Sequence, residues 1–256
     1  MRRYLLCLVP LLFSLNAIAA ESGKANLTIL TDETMLLPLA QLARDYATSS
    51  KTPLTIVVKN ADDILRQVEQ GLEAHVVITA NTALLAKLSE QGLTDVSSRK
   101  PIARTQLALV TSSDLGNQAN IARRISFASM LAATPNLPVL MNDAGTVEGS
   151  RANNLLSGHE FSTALAARAV PKPSHDEVIA SMHDEPSLAL ILAAETTTEP
   201  DIRVLSLLPQ EVSPPVVFET IVLGGESMED AKTFTIYLSS RSARAIFAHF
   251  GYQPPK

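Results

Sequence analysis

The chain has one cysteine, no tryptophan and only 4% aromatic residues in 256 positions. A single cysteine excludes a disulfide framework and a multi-thiolate metal cluster. Lys+Arg number 21 against Asp+Glu 26, for a net charge of −5. That balance excludes the clustered cations that a nucleic-acid partner requires. No apolar run reaches the roughly 20 residues of a membrane-spanning helix. There is no G-x-S-x-G elbow, no P-loop and no G-x-G-x-x-G fingerprint, so neither enzyme activity nor a cofactor is expected. The five histidines, His75, His159, His175, His183 and His249, do not pair at the spacings zinc sites use on one element. Each reads as a surface or polar-core residue, and no metal is expected.

The first residues form an address. Arg2 and Arg3 precede an apolar run at 5–13, and Ala17-Ile18-Ala19 supplies an A-x-A cleavage site. This is the pattern of a secretory signal peptide over 1–19. A membrane anchor is the competing reading, and the span is short for one. Cys7 stands before the apolar run, too early for a lipoprotein cysteine, and leaves with the leader. The mature chain then has no thiol, which suits an oxidising compartment.

Beyond the leader, with 46% hydrophobic and 18% charged residues overall, the composition is globular. Strand-like runs at 27–30, 54–58 and 75–79 alternate with helical periodicity at 35–49, 62–70 and 82–91. Gly71 and Gly92 stop the second and third helices. The second half continues with strands at 107–110, 139–142, 188–192 and 216–223. Helices are expected at 121–132, from 149 to 156, at 176–182, at 229–238 and at 242–250. Such alternation predicts an α/β fold of mostly parallel sheets flanked by helices. Strands near Leu107 and Val217 are candidate hinge segments. They predict two lobes: a discontinuous one of 20–104 plus 212–256, and an inserted one of 105–211.

Several segments resemble the molybdate-binding proteins of ABC importers. Leu27-Thr28-Ile29-Leu30 followed by Thr31-Asp32-Glu33-Thr34-Met35 is similar to that family's opening strand, Ala-Ala-Ala-Ser-Leu turn and helix. Residues 64–71 resemble its Leu-Ala-x-Gln-Ile-Glu-x-Gly helix, and 75–80 its Asp-Val-Phe-Ile-Ser-Ala strand. The closing helices, 234–252, resemble its final pattern ending in Gly-Phe. The resemblance implies a two-lobe periplasmic-binding-protein-like fold closing on a hinge over a small solute. It implies a periplasmic, monomeric receptor that serves an ABC permease, with an oxyanion such as molybdate or tungstate as ligand. In that family a tetrahedral dianion is held by helix N-termini and hydroxyls.

The ligand positions depart from this pattern. Thr34 falls on the family's first ligand serine and keeps a hydroxyl; it also reads as the N-cap of the following helix. In the turn Lys59-Asn60-Ala61-Asp62-Asp63, Asn60 precedes Ala61, which replaces the second ligand serine, and Asp62 brings a carboxylate to the helix start. In the third loop Glu148 replaces an alanine, Gly149 matches, and Ser150 and Arg151 follow. Leu192 falls where the family has a pocket tyrosine, in a register that admits a slip of one. The acids read either as solvated helix starts or as groups facing the cleft. In the second case they repel an anion, and a cationic or organic solute, or a signalling role, becomes the alternative to oxyanion capture. Arg151 is a candidate to bind an oxyanion or a carboxylate.

Overall fold

The computed structural model describes residues 26–118 and 126–255. The expected leader, Cys7 and the first part of the helix expected at 121–132 lie outside the described residues. The chain opens with β1 (Leu27–Thr31), α1 (Leu36–Ser50), β2 (Leu54–Val58), α2 (Ala61–Glu69), β3 (Val76–Thr79) and α3 (Thr82–Glu90). It continues through β4 (Thr94–Thr105), β5 (Leu107–Ser112), α4 (Ser113–Gln118), α5 (Phe127–Ala133), β6 (Val139–Asn142), α6 (Val147–Asn153), α7 (Ser162–Ala166), β7 (Ala169–Lys172) and α8 (His175–Asp184). It closes with β8 (Leu188–Leu192), β9 (Ile202–Leu207), β10 (Val216–Leu223), α9 (Met228–Tyr237) and α10 (Arg241–His249).

The strands form two five-stranded sheets, ordered β2-β1-β3-β10-β4 and β7-β6-β8-β5-β9. The fold is the expected two-lobe α/β arrangement, with one correction: the sheets are mixed, not mostly parallel. Helical crossovers give the parallel pairs of β1 with β2 and β3, and of β6 with β7 and β8. The strands that enter from the other sheet run the opposite way: β10 pairs antiparallel with β3 and β4, and β5 with β8 and β9. The chain crosses between sheets twice, at Gln106 and through 208–215.

Each sheet is covered on both faces, which explains its near-continuous apolar strands. On the first, α2 and α3 bury Ile64, Val68, Leu85 and Leu88 against Leu30, Val77 and Ile221. The opposite face takes Leu39, Leu42 and Tyr46 of α1 together with Phe234 and Phe247. Tyr46 meets Phe234 edge-on with ring centroids 5.1 Å apart. On the second sheet, Val178, Ile179 and Met182 of α8 pack on Val110, Leu140 and Ala189. Fully burying one such aliphatic side chain contributes roughly 1.5–3 kcal/mol.

Helix starts are set by local chemistry. Asn60, Asn81, Ser126, Thr146, Ser174 and Ser240 each accept a hydrogen bond from the backbone N–H three residues on. A cap of this kind is worth about 1 kcal/mol. Among the described residues, no helix is long and apolar enough to cross a membrane.

Candidate functional site

Parallel strands end, and helices begin, along one shared edge. Asn60 follows β2, Asn81 follows β3 and Thr146 follows β6. All three line a cleft of about 620 Å³. Asp32, Glu33 and Thr34 complete one wall; Glu148, Arg151, His175 and Glu195 complete the other. The cleft thus lies at the carboxyl ends of the strands, where open α/β sheets take ligands, and both sheets contribute to it.

The cleft brings together Thr34, Asn60, Ala61, Glu148, Ser150 and Arg151. Thr34 is not the expected cap. It sits inside a 3-10 turn, Glu33–Met35, and its buried Oγ1 has no hydrogen-bond partner. Its hydroxyl is therefore unspent, while its carbonyl accepts from the Tyr252 hydroxyl at 2.7 Å. The Asn60 amide turns back on its own helix: Oδ1 accepts from the Asp63 N–H at 2.8 Å, and Nδ2 donates to Asp63 Oδ2 at 3.0 Å.

Three expected site residues lie elsewhere. Asp62 is exposed and does not line the cleft; Asp63 does, paired with Arg66. Gly149 is buried behind the cleft wall, where a Cβ would run into the Asp143 carbonyl oxygen and come within 2.5 Å of that of Asn142. Its role is to let α6 start directly against the end of β6. Leu192 is wholly buried, because β8 is covered on both faces. The polar group in that region is Glu195, in the turn three residues on, whose Oε2 accepts from the Leu192 N–H at 3.0 Å.

Asp32, Asn81, His175 and Glu195 are among the cleft residues not singled out from sequence. Asn81 carries a legible signal, a cap residue before Leu84 and Leu85. His175 directly follows the cap Ser174, yet nothing local marks it as facing the cleft. His75, by contrast, takes a polar-core role, its Nδ1 accepting from the Thr28 N–H at 2.9 Å.

The electrostatics are dominated by buried carboxyls. Burial pushes Asp32 up to about 6, partly offset by the Thr79 hydroxyl and the Ala80 N–H that donate to it. Glu195 is raised well above the carboxylate range, first by burial and then by the charge of Glu148. Burial pushes Glu148 up too, but the Glu195 carboxyl, His175 and Asn142 outweigh it and hold it low. Burial lowers His175, but the nearby Glu148 carboxylate outweighs it and raises the imidazole. The basic side chains in the cleft, Lys59 and Arg151, make no ion pair with any of the described residues.

A family model described as bacterial extracellular solute-binding protein matches residues 27–253. The molybdate-binding protein ModA of Haemophilus influenzae is 21% identical over 235 residues, covering 90% of this chain and 91% of that protein. The periplasmic molybdate-binding protein of Azotobacter vinelandii superposes with a TM-score of 0.71 at 18% identity, over 90% of this chain and 100% of its own. The tungstate-binding protein TupA of Desulfovibrio alaskensis gives a TM-score of 0.67 at 11% identity, over 90% of this chain and 99% of its own. At these identities the structural likeness is one of fold.

Proposed function

The chain belongs to the bacterial extracellular solute-binding proteins, and on that premise we propose that it is an exported, monomeric receptor that captures a small solute between its lobes and hands it to an ABC permease. The observation that carries this reading is the cleft of about 620 Å³, with walls from both sheets and helix starts at Asn60, Asn81 and Thr146. Ligand pockets of small-molecule receptors fall in the range of roughly 300–1,000 Å³. The leader pattern at 1–19 supports delivery to the periplasm.

The solute belongs to the oxyanion class, with its affinity reduced. Supporting an anion are the unspent Thr34 hydroxyl and the unpaired Lys59 and Arg151 side chains. Opposing a bare dianion is Glu148, buried in the facing wall where the family resemblance places an alanine. Two like charges about 4 Å apart repel by roughly 1–4 kcal/mol between water-like and surface-like dielectrics. Molybdate and tungstate are therefore expected to bind more weakly than micromolar. A second reading, a solute that presents positive charge, is favoured by the buried Glu148 and Glu195 carboxyls on one wall.

Thermal unfolding against molybdate, tungstate, sulfate, phosphate and small organic cations tests both. Saturation at about 100 times the dissociation constant adds roughly 2.7 kcal/mol of stability. The anion reading expects Arg151→Ala to erase any oxyanion response. Submicromolar molybdate affinity by calorimetry would contradict the reduced-affinity expectation. Retention of the unprocessed chain in the cytoplasm would refute export.

A further inference from the structure

Three elements that are far apart in the chain meet at the back of the cleft. Glu148 comes from the first turn of α6, His175 from the start of α8, and Glu195 from the 3-10 turn after β8. One ligand atom from each lies within 4.8 Å of the other two, a grouping found only here among the described residues. His175 Nδ1 stands 3.7 Å from Glu148 Oε1 and 3.7 Å from Glu195 Oε2. That spacing is too long for hydrogen bonds. It does suit the edge of a coordination shell: two atoms bound at about 2.1 Å to one tetrahedral ion are about 3.4 Å apart.

A second observation points to a ligand. Glu148 Oε2 and His175 Nδ1 are buried without a hydrogen-bond partner, and the Glu148 side chain is only 1% exposed. An unpartnered carboxylate oxygen at that depth is costly, and a cation would satisfy both atoms at once. The supporting shell is already in place. Asn142 Nδ2 donates to Glu148 Oε1, and the Leu192 N–H donates to Glu195 Oε2. Such outer partners fix the orientation of ligating groups.

We infer that Glu148, His175 and Glu195 form a binding site for a first-row divalent cation such as Zn²⁺. An imidazole nitrogen beside two carboxylates favours such an ion over Mg²⁺ or Ca²⁺, which prefer all-oxygen shells. All three residues line the cleft, which places the ion at the back of the space where the solute is captured. The inference deepens the positive-charge reading of the cleft and rests on it for the ion's role as cargo.

The test is calorimetric titration of the chelator-treated full mature protein with Zn²⁺, alongside Co²⁺ absorbance and thermal unfolding. One site per chain with micromolar or tighter affinity, and a visible Co²⁺ band, is the expected result. Glu195→Gln and His175→Gln should each weaken Zn²⁺ by at least about 100-fold. Glu195→Gln should also leave the metal-free unfolding temperature unchanged or higher, so that lost binding is not lost folding. No Zn²⁺ uptake overturns the inference. So does unchanged affinity in both variants, which would place the ion elsewhere, such as on the exposed His183 or His249. Oxyanions or organic cations that stabilise the metal-free protein when Zn²⁺ does not would leave the receptor standing and remove the metal site.

Discussion

Gly149→Ala is expected to destabilise the protein by about 3 kcal/mol, lowering the unfolding temperature by roughly 6–12 °C. The new Cβ meets backbone, the Asp143 and Asn142 carbonyl oxygens, not the yielding end of a side chain. Relief requires α6 to retreat from the end of β6. That movement strains the Gly149 N–H bond to Thr146 Oγ1, at 3.0 Å, and displaces the neighbouring Glu148. Calorimetric unfolding should therefore show lost stability together with lost ligand response. A variant with the wild-type melting temperature would mean that α6 has slack the geometry does not reveal. Ser150→Ala, one residue on and exposed, is the control for stability and is expected to leave the melting temperature little changed.

Asp32→Asn should have a comparable effect of opposite sign. Burial raises the Asp32 carboxyl from 3.8 to about 6, so the folded chain holds that proton more tightly than the unfolded chain. Stability from this group is fully present below about pH 4. It is lost as pH rises from about 4 to about 6 and stays lost above that. The difference corresponds to about 3 kcal/mol as an upper value. Asparagine keeps an oxygen to accept from the Thr79 hydroxyl and the Ala80 N–H but carries no charge. The variant should match the wild type near pH 4 and exceed it by up to about 3 kcal/mol at pH 8, measured by urea unfolding. Parallel stability profiles for the two proteins between pH 4 and 8 would refute the assignment.

The interior of the fold was readable before the structure, and its margins were not. Strands covered on both faces, such as β3, β6, β8 and β10, announce themselves as short apolar runs between turn residues. The strands that escaped reading are β4, β7 and β9, and all three lie at sheet edges. An edge strand tolerates polar residues and even proline, because one side of its ladder needs no partner. Pro101 in β4 and Pro171 in β7 occupy such positions. Local periodicity therefore carried no signal there, and pairing was decided by tertiary position.

The site divides the same way. Thr34, Asn60, Ala61 and Glu148 were placed by the family resemblance, which aligns them with ligand positions at helix starts after strand ends. His175 and Glu195 were not, because their meeting depends on how α8 and the turn after β8 pack around α6. Nothing within a few residues of either encodes that contact. Leu192 was misplaced for a related reason: a fully buried strand presents no side chain to a cleft, and the turn beyond it does.

The chain end beside the first crossing between sheets offers a practical handle. Gln253 exchanges two backbone hydrogen bonds with Arg104, at 2.9 and 2.8 Å, and Arg104 Nε donates to the Pro254 carbonyl at 3.0 Å. Pro254 is exposed, and Cys7 is the chain's sole thiol. A cysteine engineered at 254 in a chain begun after residue 19 would thus take a maleimide dye at one site only, next to the bridge from Gln253 to Arg104, which stands two residues before the crossing at Gln106. Dye emission at that point would report lobe closure in real time, converting the receptor into an optical sensor for whatever its cleft captures.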